Sequence, residues 1–350
     1  MKLYYWIWVL VFIRCTPDDS GPGRDLTGVR YEPVPYELKL PEYLEPPTWT
    51  EEHPLTKSGV ILGRALFYDS RLSSNSTKSC ATCHRPKEGF SGGKGGGRMT
   101  LSLINVGYDH DNYGWDGRWP TIESAIDNMI QESTYLQGEW SEIIPLFQED
   151  TLYPILFRKA YGISNTTQID KEHFINAIAQ FLQILIARNS KYDRVVAGNT
   201  FFSPIEQDGA DMFFDANPLL PDAECAHCHI PPSFAIRSFA NNGIDSVNRY
   251  SDFIDAGRGA VTHLALDTGR FKIPTLRNIA ERKQFMHDGR FIQLSDVISF
   301  YNSGGHRFEN YSNYLHPLHL SEYQQKAVLS FLYTLTDTTL RVNPDIAPPF

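Results

Sequence analysis

Two short motifs constrain this chain more than any other feature: Cys80-Ala-Thr-Cys83-His84 and Cys225-Ala-His-Cys228-His229. The C-x-x-C-H spacing is the attachment signal of c-type haem. Two thiols add to the two vinyl groups of one porphyrin, and the histidine that follows lies under the iron as proximal ligand. Zinc is the main rival, since four cysteines can close a tetrahedral site. Yet 142 residues separate Cys83 from Cys225, and each pair is followed by a histidine that zinc does not require. A redox dithiol needs neither that histidine nor a second copy. Two covalently bound haem c groups are therefore expected, on Cys80, Cys83, Cys225 and Cys228, with iron held by His84 and His229.

The fifth cysteine, Cys15, follows the segment MKLYYWIWVLVFI, one lysine and then 11 apolar residues. A spanning helix needs about 20 apolar residues, so this run is too short. It has the pattern of a secretory signal. The lone Cys15 at its end predicts a lipoprotein-type signal over 1–15, with a lipid anchor on Cys15. Phe12, Ile13 and Arg14 are bulkier than the residues usual before such a cysteine, and a plain signal peptide or a signal anchor is the alternative. Export agrees with the haem motifs, because this haem is attached outside the cytoplasm. The expected location is the cell envelope, in the periplasm or lipid-anchored at the outer membrane. The net charge of −9 carries no basic block, which argues against nucleic acid as partner. With 350 residues, 41% hydrophobic and 21% charged, the chain is long enough for two globular domains.

The two halves repeat each other. Leu103-Ile-Asn105-Val106 and Trp115-Asp-Gly-Arg118 follow the first haem motif; Leu276-Arg-Asn278-Ile279 and His287-Asp-Gly-Arg290 follow the second. Each D-G-R turn precedes an apolar face at helical spacing, Ile122, Ile126, Met129, Ile130 and then Leu294, Val297, Ile298, Tyr301. Further helices are expected after Asp170, after the capping box Ser203-Pro-Ile-Glu206, and after Ser321. Strand signals are scarce. The fold class is mainly α, two cytochrome c-like haem domains related by internal duplication. The divisions are a 16–49 N-terminal extension, a 50–200 domain and a 201–345 domain, with 189–202 as the connection. Gly92 to Gly97 reads as a mobile loop, either plain surface or a flap over the first haem.

The sequence resembles the bacterial di-haem cytochrome c peroxidase family, in its MauG-like branch. The resemblance rests on Leu62-Gly-Arg-Ala-Leu-Phe-Tyr-Asp69, Arg71-Leu-Ser73, the two haem motifs and Trp115 to Arg118. It continues in Asn189-Ser-Lys-Tyr-Asp193, Phe271-Lys-Ile-Pro-Thr-Leu-Arg-Asn278 and Met286-His-Asp-Gly-Arg-Phe291. It implies a first, peroxidatic haem with an open distal face and a second, six-coordinate electron-transfer haem. Trp115 falls on the family's electron relay, while Trp49, Trp119 and Trp140 read as ordinary aromatics. The family's sixth ligand lies fourteen residues after the H-D-G histidine, here Tyr301, where ordinary members have Met and MauG-type members Tyr. Met286 and His306 are the alternatives. The resemblance further implies hydrogen peroxide as oxidant and a small cytochrome or a protein substrate as donor.

Three positions depart from the pattern. The acid–base Glu expected twenty residues after the relay Trp is Tyr135 here, with Glu132 close by. Met129 occupies the repeat position of Tyr301 and can pack over the first haem or ligate it. The family's interdomain calcium uses an Asn after the loop Arg; here Met99 follows Arg98, which leaves one calcium ion as an open expectation. Tyr135 and Met129 keep a rival reading in view, a membrane-tethered di-haem electron carrier without peroxide chemistry.

Overall fold

The computed structural model describes residues 23–47, 54–109 and 111–349; Cys15, the signal segment and Trp49 lie outside them. Among the described residues the regular structure is helical, with three antiparallel pairs of two-residue strands. The longer helices are α1 (Lys57–Tyr68), α2 (Ile122–Gln131), α3 (Trp140–Gln148), α4 (Tyr153–Tyr161), α5 (Lys171–Gln183), α6 (Pro204–Phe213), α7 (Leu294–Ser303) and α8 (Glu322–Thr334). None of them is long and apolar enough to cross a membrane. Their starts follow local chemistry, because the first amides of a helix lack intrahelical partners. Asp170 accepts the His173 amide at 3.1 Å. The Ser203 amide donates to Glu206 at 2.7 Å, and the Ser321 amide to Gln324 at 2.8 Å, as capping boxes do.

The halves are built on one plan. In the first, α1 packs across α5; in the second, α6 packs across α8. Both crossings depend on a bare backbone. A Cβ on Gly63 would fall 1.8 Å from the carbonyl oxygen of Ala177, and one on Gly209 would fall 2.0 Å from that of Ala327. One turn on, Phe67 meets Phe181 at 5.0 Å and Phe213 meets Phe331 at 4.9 Å between ring centroids. A third ring completes each cluster, Phe90 at 6.1 Å from Phe67 and Phe234 at 5.9 Å from Phe213. Burying such a side chain contributes about 1.5–3 kcal/mol. Asn105 and Asn278 also match. Both adopt left-handed backbone, φ 62° and 52°. Their side-chain oxygens accept the amides of Ala187 and Asp337 at 2.8 and 3.1 Å. The fold is mainly helical, as the repeated motifs predict.

The apolar core divides likewise, one cluster running from Leu26 to Ala187 and another from Ala210 to Leu335. Leu340 and Ile346 return to the first cluster. Tyr68 fixes that tail by donating to the Ile346 carbonyl at 2.7 Å. The connection after Asn189 is more ordered than its composition suggests. Lys191–Val196 is helical, and Asp193 receives Arg277 at 2.7 Å in an ion pair whose side chains are 3% and 0% exposed. Tyr43 donates to the same carboxylate at 2.7 Å. Removing either charge would strand the other, a cost of about 3–5 kcal/mol.

The glycine-rich segment is paired backbone. Ser91–Gly92 pairs with His84–Arg85, and Lys94–Gly95 with Arg98–Met99. The Gly93 amide donates to the Cys83 carbonyl at 2.9 Å. The segment folds as short hairpins against the first haem motif.

Candidate functional site

Each motif borders an apolar cavity. The first has a free volume of about 160 Å³ and is lined by Cys80, Cys83, His84, Trp115, Met129 and Tyr135 among others. The second, of about 210 Å³, includes Cys225, Cys228, His229, Trp115, Met286 and Tyr301. The two cysteine pairs face different cavities, so they do not close one zinc site. All four are free thiols. Burial pushes Cys80 and Cys225 up to about 12, leaving them neutral. The Nδ1 of His84 lies 3.2 Å from the Phe90 carbonyl, and that of His229 lies 3.0 Å from the Phe234 carbonyl. A carbonyl only accepts, so Nδ1 carries the proton and Nε2 keeps its lone pair. This is the second contact that orients a metal-ligating histidine. Burial pulls both imidazoles down to about 4, the neutral ligand form. Paired free thiols, a lone-pair Nε2 and apolar walls fit a haem c, and they occur together twice.

Trp115 lines both cavities. Its indole N–H donates to the Met99 carbonyl at 2.6 Å. The Met99 amide donates to the His287 carbonyl at 2.7 Å, and the Lys272 amide to the Trp115 carbonyl at 2.7 Å. The Trp115 and His287 rings, equivalent in the repeat, meet at 6.4 Å. Trp119 is buried against Tyr135 at 6.0 Å, and Trp140 donates to Asp127 at 2.7 Å. Both are framework. Arg98 closes the seam by reaching Asp116 at 2.6 Å and Asp255 at 2.7 Å. Burial would raise both carboxylates, but hydrogen bonds from Arg118 and Arg98 at Asp116, and from Arg98 and the Gly257 amide at Asp255, hold them below the usual range. The Arg98 guanidinium thus supplies the cation that joins the halves. The side chain of Met99 is buried beside Gly289.

Tyr301, on α7, lines the second cavity. The Asn242 amide donates to its oxygen at 3.2 Å and approaches the Met286 sulfur at 3.5 Å. Burial pushes the phenol up to about 12. Met286 shares that cavity, whereas His306 is exposed and does not line it. Met129 faces the first cavity from the equivalent place on α2. Tyr135 faces it too; burial first, then the charge of Glu132, raises its phenol. Glu132 caps α2 half-buried and does not line the cavity. Three basic groups at the cavities were not legible as such. Arg98 is one. Lys272, 6% exposed and 3.3 Å from Asp109, lines both cavities. Arg282 lines the second, its guanidinium pulled by burial down to about 10. Lys272 stands within a motif that carries the family resemblance; Arg282 has no sequence signal.

Two thiol–imidazole cavities on duplicated helical halves, with a tryptophan between them, define a di-haem c-type oxidoreductase. A family model described as di-haem cytochrome c peroxidase matches residues 57–201. Methylamine utilization protein MauG of Methylorubrum extorquens is 31% identical over 294 residues, covering 81% of this chain and 79% of MauG. Cytochrome-c peroxidase IdrP2 of Denitromonas iodatirespirans is 25% identical over 330 residues, covering 83% and 85%. The crystal structure of a MauG-like protein associated with microbial copper homeostasis superposes with a TM-score of 0.79 at 28% identity, covering 90% of this chain and 99% of that one. The chain belongs to the di-haem cytochrome c peroxidase family and is a MauG-like di-haem enzyme. Membership implies two haem c groups, hydrogen peroxide and an electron-donor protein.

Proposed function

We propose that hydrogen peroxide reacts at the first cavity, over His84, and that the oxidising equivalents leave through the second to aromatic residues of a partner protein. The observation that carries this reading is the indole of Trp115, which lines both cavities and is locked to the Met99 carbonyl at 2.6 Å. When bound, haem supplies the peroxide-binding metal and the redox equivalents. The chain's part is orientation and proton handling. Splitting peroxide needs a group that moves a proton between its oxygens. Tyr135 is the group on the cavity, and its raised phenol keeps the proton at neutral pH, so it acts as donor. Glu132, whose charge is felt at that phenol, is the other acid–base group close to it. Tyr301 is the sixth ligand of the second haem. A phenolate disfavours ferrous iron, so Tyr301 favours holding oxidising equivalents over storing an electron. That choice supports a protein substrate over a small cytochrome. The division into 50–200 and 201–345 domains, an envelope location and the lipid on Cys15 belong to the same reading, since this haem is attached after export.

Met129 favours a second reading. If it ligates the first haem, the distal face is closed and the protein is an electron carrier. Optical and EPR spectra of the holoprotein, recorded before and after stoichiometric peroxide without reductant, separate the readings. Joint loss of a high-spin and a low-spin ferric signal is expected. Two low-spin haems indifferent to peroxide would leave the electron carrier. A response only after reduction of one haem would place Tyr301 outside the ligand set and the enzyme with ordinary cytochrome c peroxidases.

A further inference from the structure

The duplication places opposite charges at one position. Asn105 and Asn278 each open a single 3-10 turn, Val106–Tyr108 and Ile279–Glu281, and the residues that close these turns are Asp109 and Arg282. Both line a haem cavity, Asp109 the first and Arg282 the second. Asp109 has its counter-ion, Lys272 at 3.3 Å. Arg282 has none. One terminal nitrogen donates to the Thr275 carbonyl at 2.8 Å and, more weakly, to the Arg277 carbonyl at 3.5 Å, and the buried Nε–H has no partner. The adjacent Glu281 is taken by Arg341 at 2.6 Å. Among the described residues no carboxylate lies within 4.0 Å of Arg282.

Arg282 is half-buried, and both its charge without a counter-ion and its orphaned Nε donor are unfavourable. The missing partner must be an anion that arrives with the contents of the cavity. Haem c brings two carboxylates, its propionates, and no other anionic group. We propose that Arg282 is the propionate clamp of the second haem, and that this charge, unpaired where Arg98, Arg118 and Lys272 on the first cavity are paired, raises the second haem's reduction potential. The sign follows from electrostatics: a fixed positive charge favours the reduced haem, which is one unit more negative. Arg282 would thus offset part of the lowering brought by Tyr301. The inference rests on the two-haem assignment, not on peroxide chemistry.

The test is a spectroelectrochemical titration of holoprotein carrying Arg282→Met, with haem content measured by pyridine haemochrome. Two haems per chain uphold the assignment; fewer than two in the unmodified protein would overturn that assignment itself. With two haems present, the second haem's midpoint is expected to fall while the first stays. An unchanged second midpoint overturns the clamp. Arg282→Lys guards against failure of the Met variant to fold. It keeps the charge and loses the fork, so the midpoint should hold while the propionate bending band in resonance Raman moves. A propionate band identical to that of the unmodified protein overturns the proposal.

Discussion

The two helix crossings give a quantitative test of the duplicated frame. Gly209→Ala puts a methyl 2.0 Å from the Ala327 carbonyl oxygen and 3.0 Å from the Phe331 Cβ. Carbon and carbonyl oxygen ordinarily stay at least about 3.3 Å apart. The opposing atom is helix backbone, which cannot swing aside, so α6 and α8 must part by roughly 1 Å. A gap of that size forfeits about a quarter to a half of each dispersion contact it opens. The rings of Phe213 and Phe331, both 0% exposed, lie in its path. Overpacking costs about 1–3 kcal/mol, and here the upper end applies. Alanine's better helix propensity returns about 1 kcal/mol. The net expectation is a loss of about 2 kcal/mol. Gly63→Ala, with its methyl 1.8 Å from the Ala177 oxygen, should lose as much. Gly28→Ala, with nothing within 4 Å, should stay within about 0.5 kcal/mol of the unmodified protein. Urea unfolding of holoprotein, followed by near-UV circular dichroism and haem absorbance, measures all three. A Gly209→Ala protein as stable as the parent would refute the reasoning, as would equal losses for Gly28→Ala.

Four further outcomes are expected. Trp115→Phe leaves the Met99 carbonyl without its donor, costing about 1–3 kcal/mol, and slows oxidation of the second haem after peroxide is added; stopped-flow spectra with an unaltered rate would remove Trp115 from the relay. Tyr301→Phe should turn the second haem from low-spin to high-spin with haem content unchanged, and an unmoved EPR spectrum would shift the ligand to Met286. Tyr135→Phe should slow peroxide consumption by about 10²-fold if the phenol handles the proton. Stability should fall on acidification: Asp116 and Asp255 lie below the usual carboxylate pKa, so their contribution is complete above about pH 4 and is lost as pH drops through their folded values. Arg98→Met should shrink the Asp255 part of that acid limb in urea titrations between about pH 5 and 2, Asp116 keeping Arg118 at 2.6 Å, and an unchanged limb would deny Arg98 its role at the seam.

The haem motifs, the Asn105/Asn278 pair and the D-G-R turns were legible because attachment chemistry fixes their spacing or a left-handed turn fixes their residue. Helix starts at Asp170, Ser203 and Ser321 were legible because capping is local. The contacts that hold the frame were not. Gly63 and Gly209 matter through what lies across from them, which no local pattern records. Phe67 precedes Cys80 by 13 residues and Phe213 precedes Cys225 by 12, so the equivalence slips out of register. Asp193 and Arg277 sat in separate motifs, and only folding reveals them as one ion pair. The pairing in the glycine-rich segment was not legible because composition reports freedom of the unfolded chain, whereas register with His84–Arg85 and packing near Cys83 belong to the folded one.

Where the halves agree they build the frame, and where they differ they divide the labour. Phe67 with Phe181 and Phe213 with Phe331 hold the same distance within 0.1 Å, because both cavities need the same helix crossing. Three matched positions break the symmetry at the cavities: Trp115 against His287, Met129 against Tyr301, Asp109 against Arg282. The first puts an oxidisable indole on the seam from one side only. The second puts a thioether on one haem cavity and a phenol on the other. The third gives one cavity a neutralised charge pair and the other a cation awaiting an anion. A duplicated protein with identical cavities would have two haems of one potential and no direction for charge to move. On the proposed reading, these three substitutions on a common frame would give the haems different potentials, with Trp115 on the path between them.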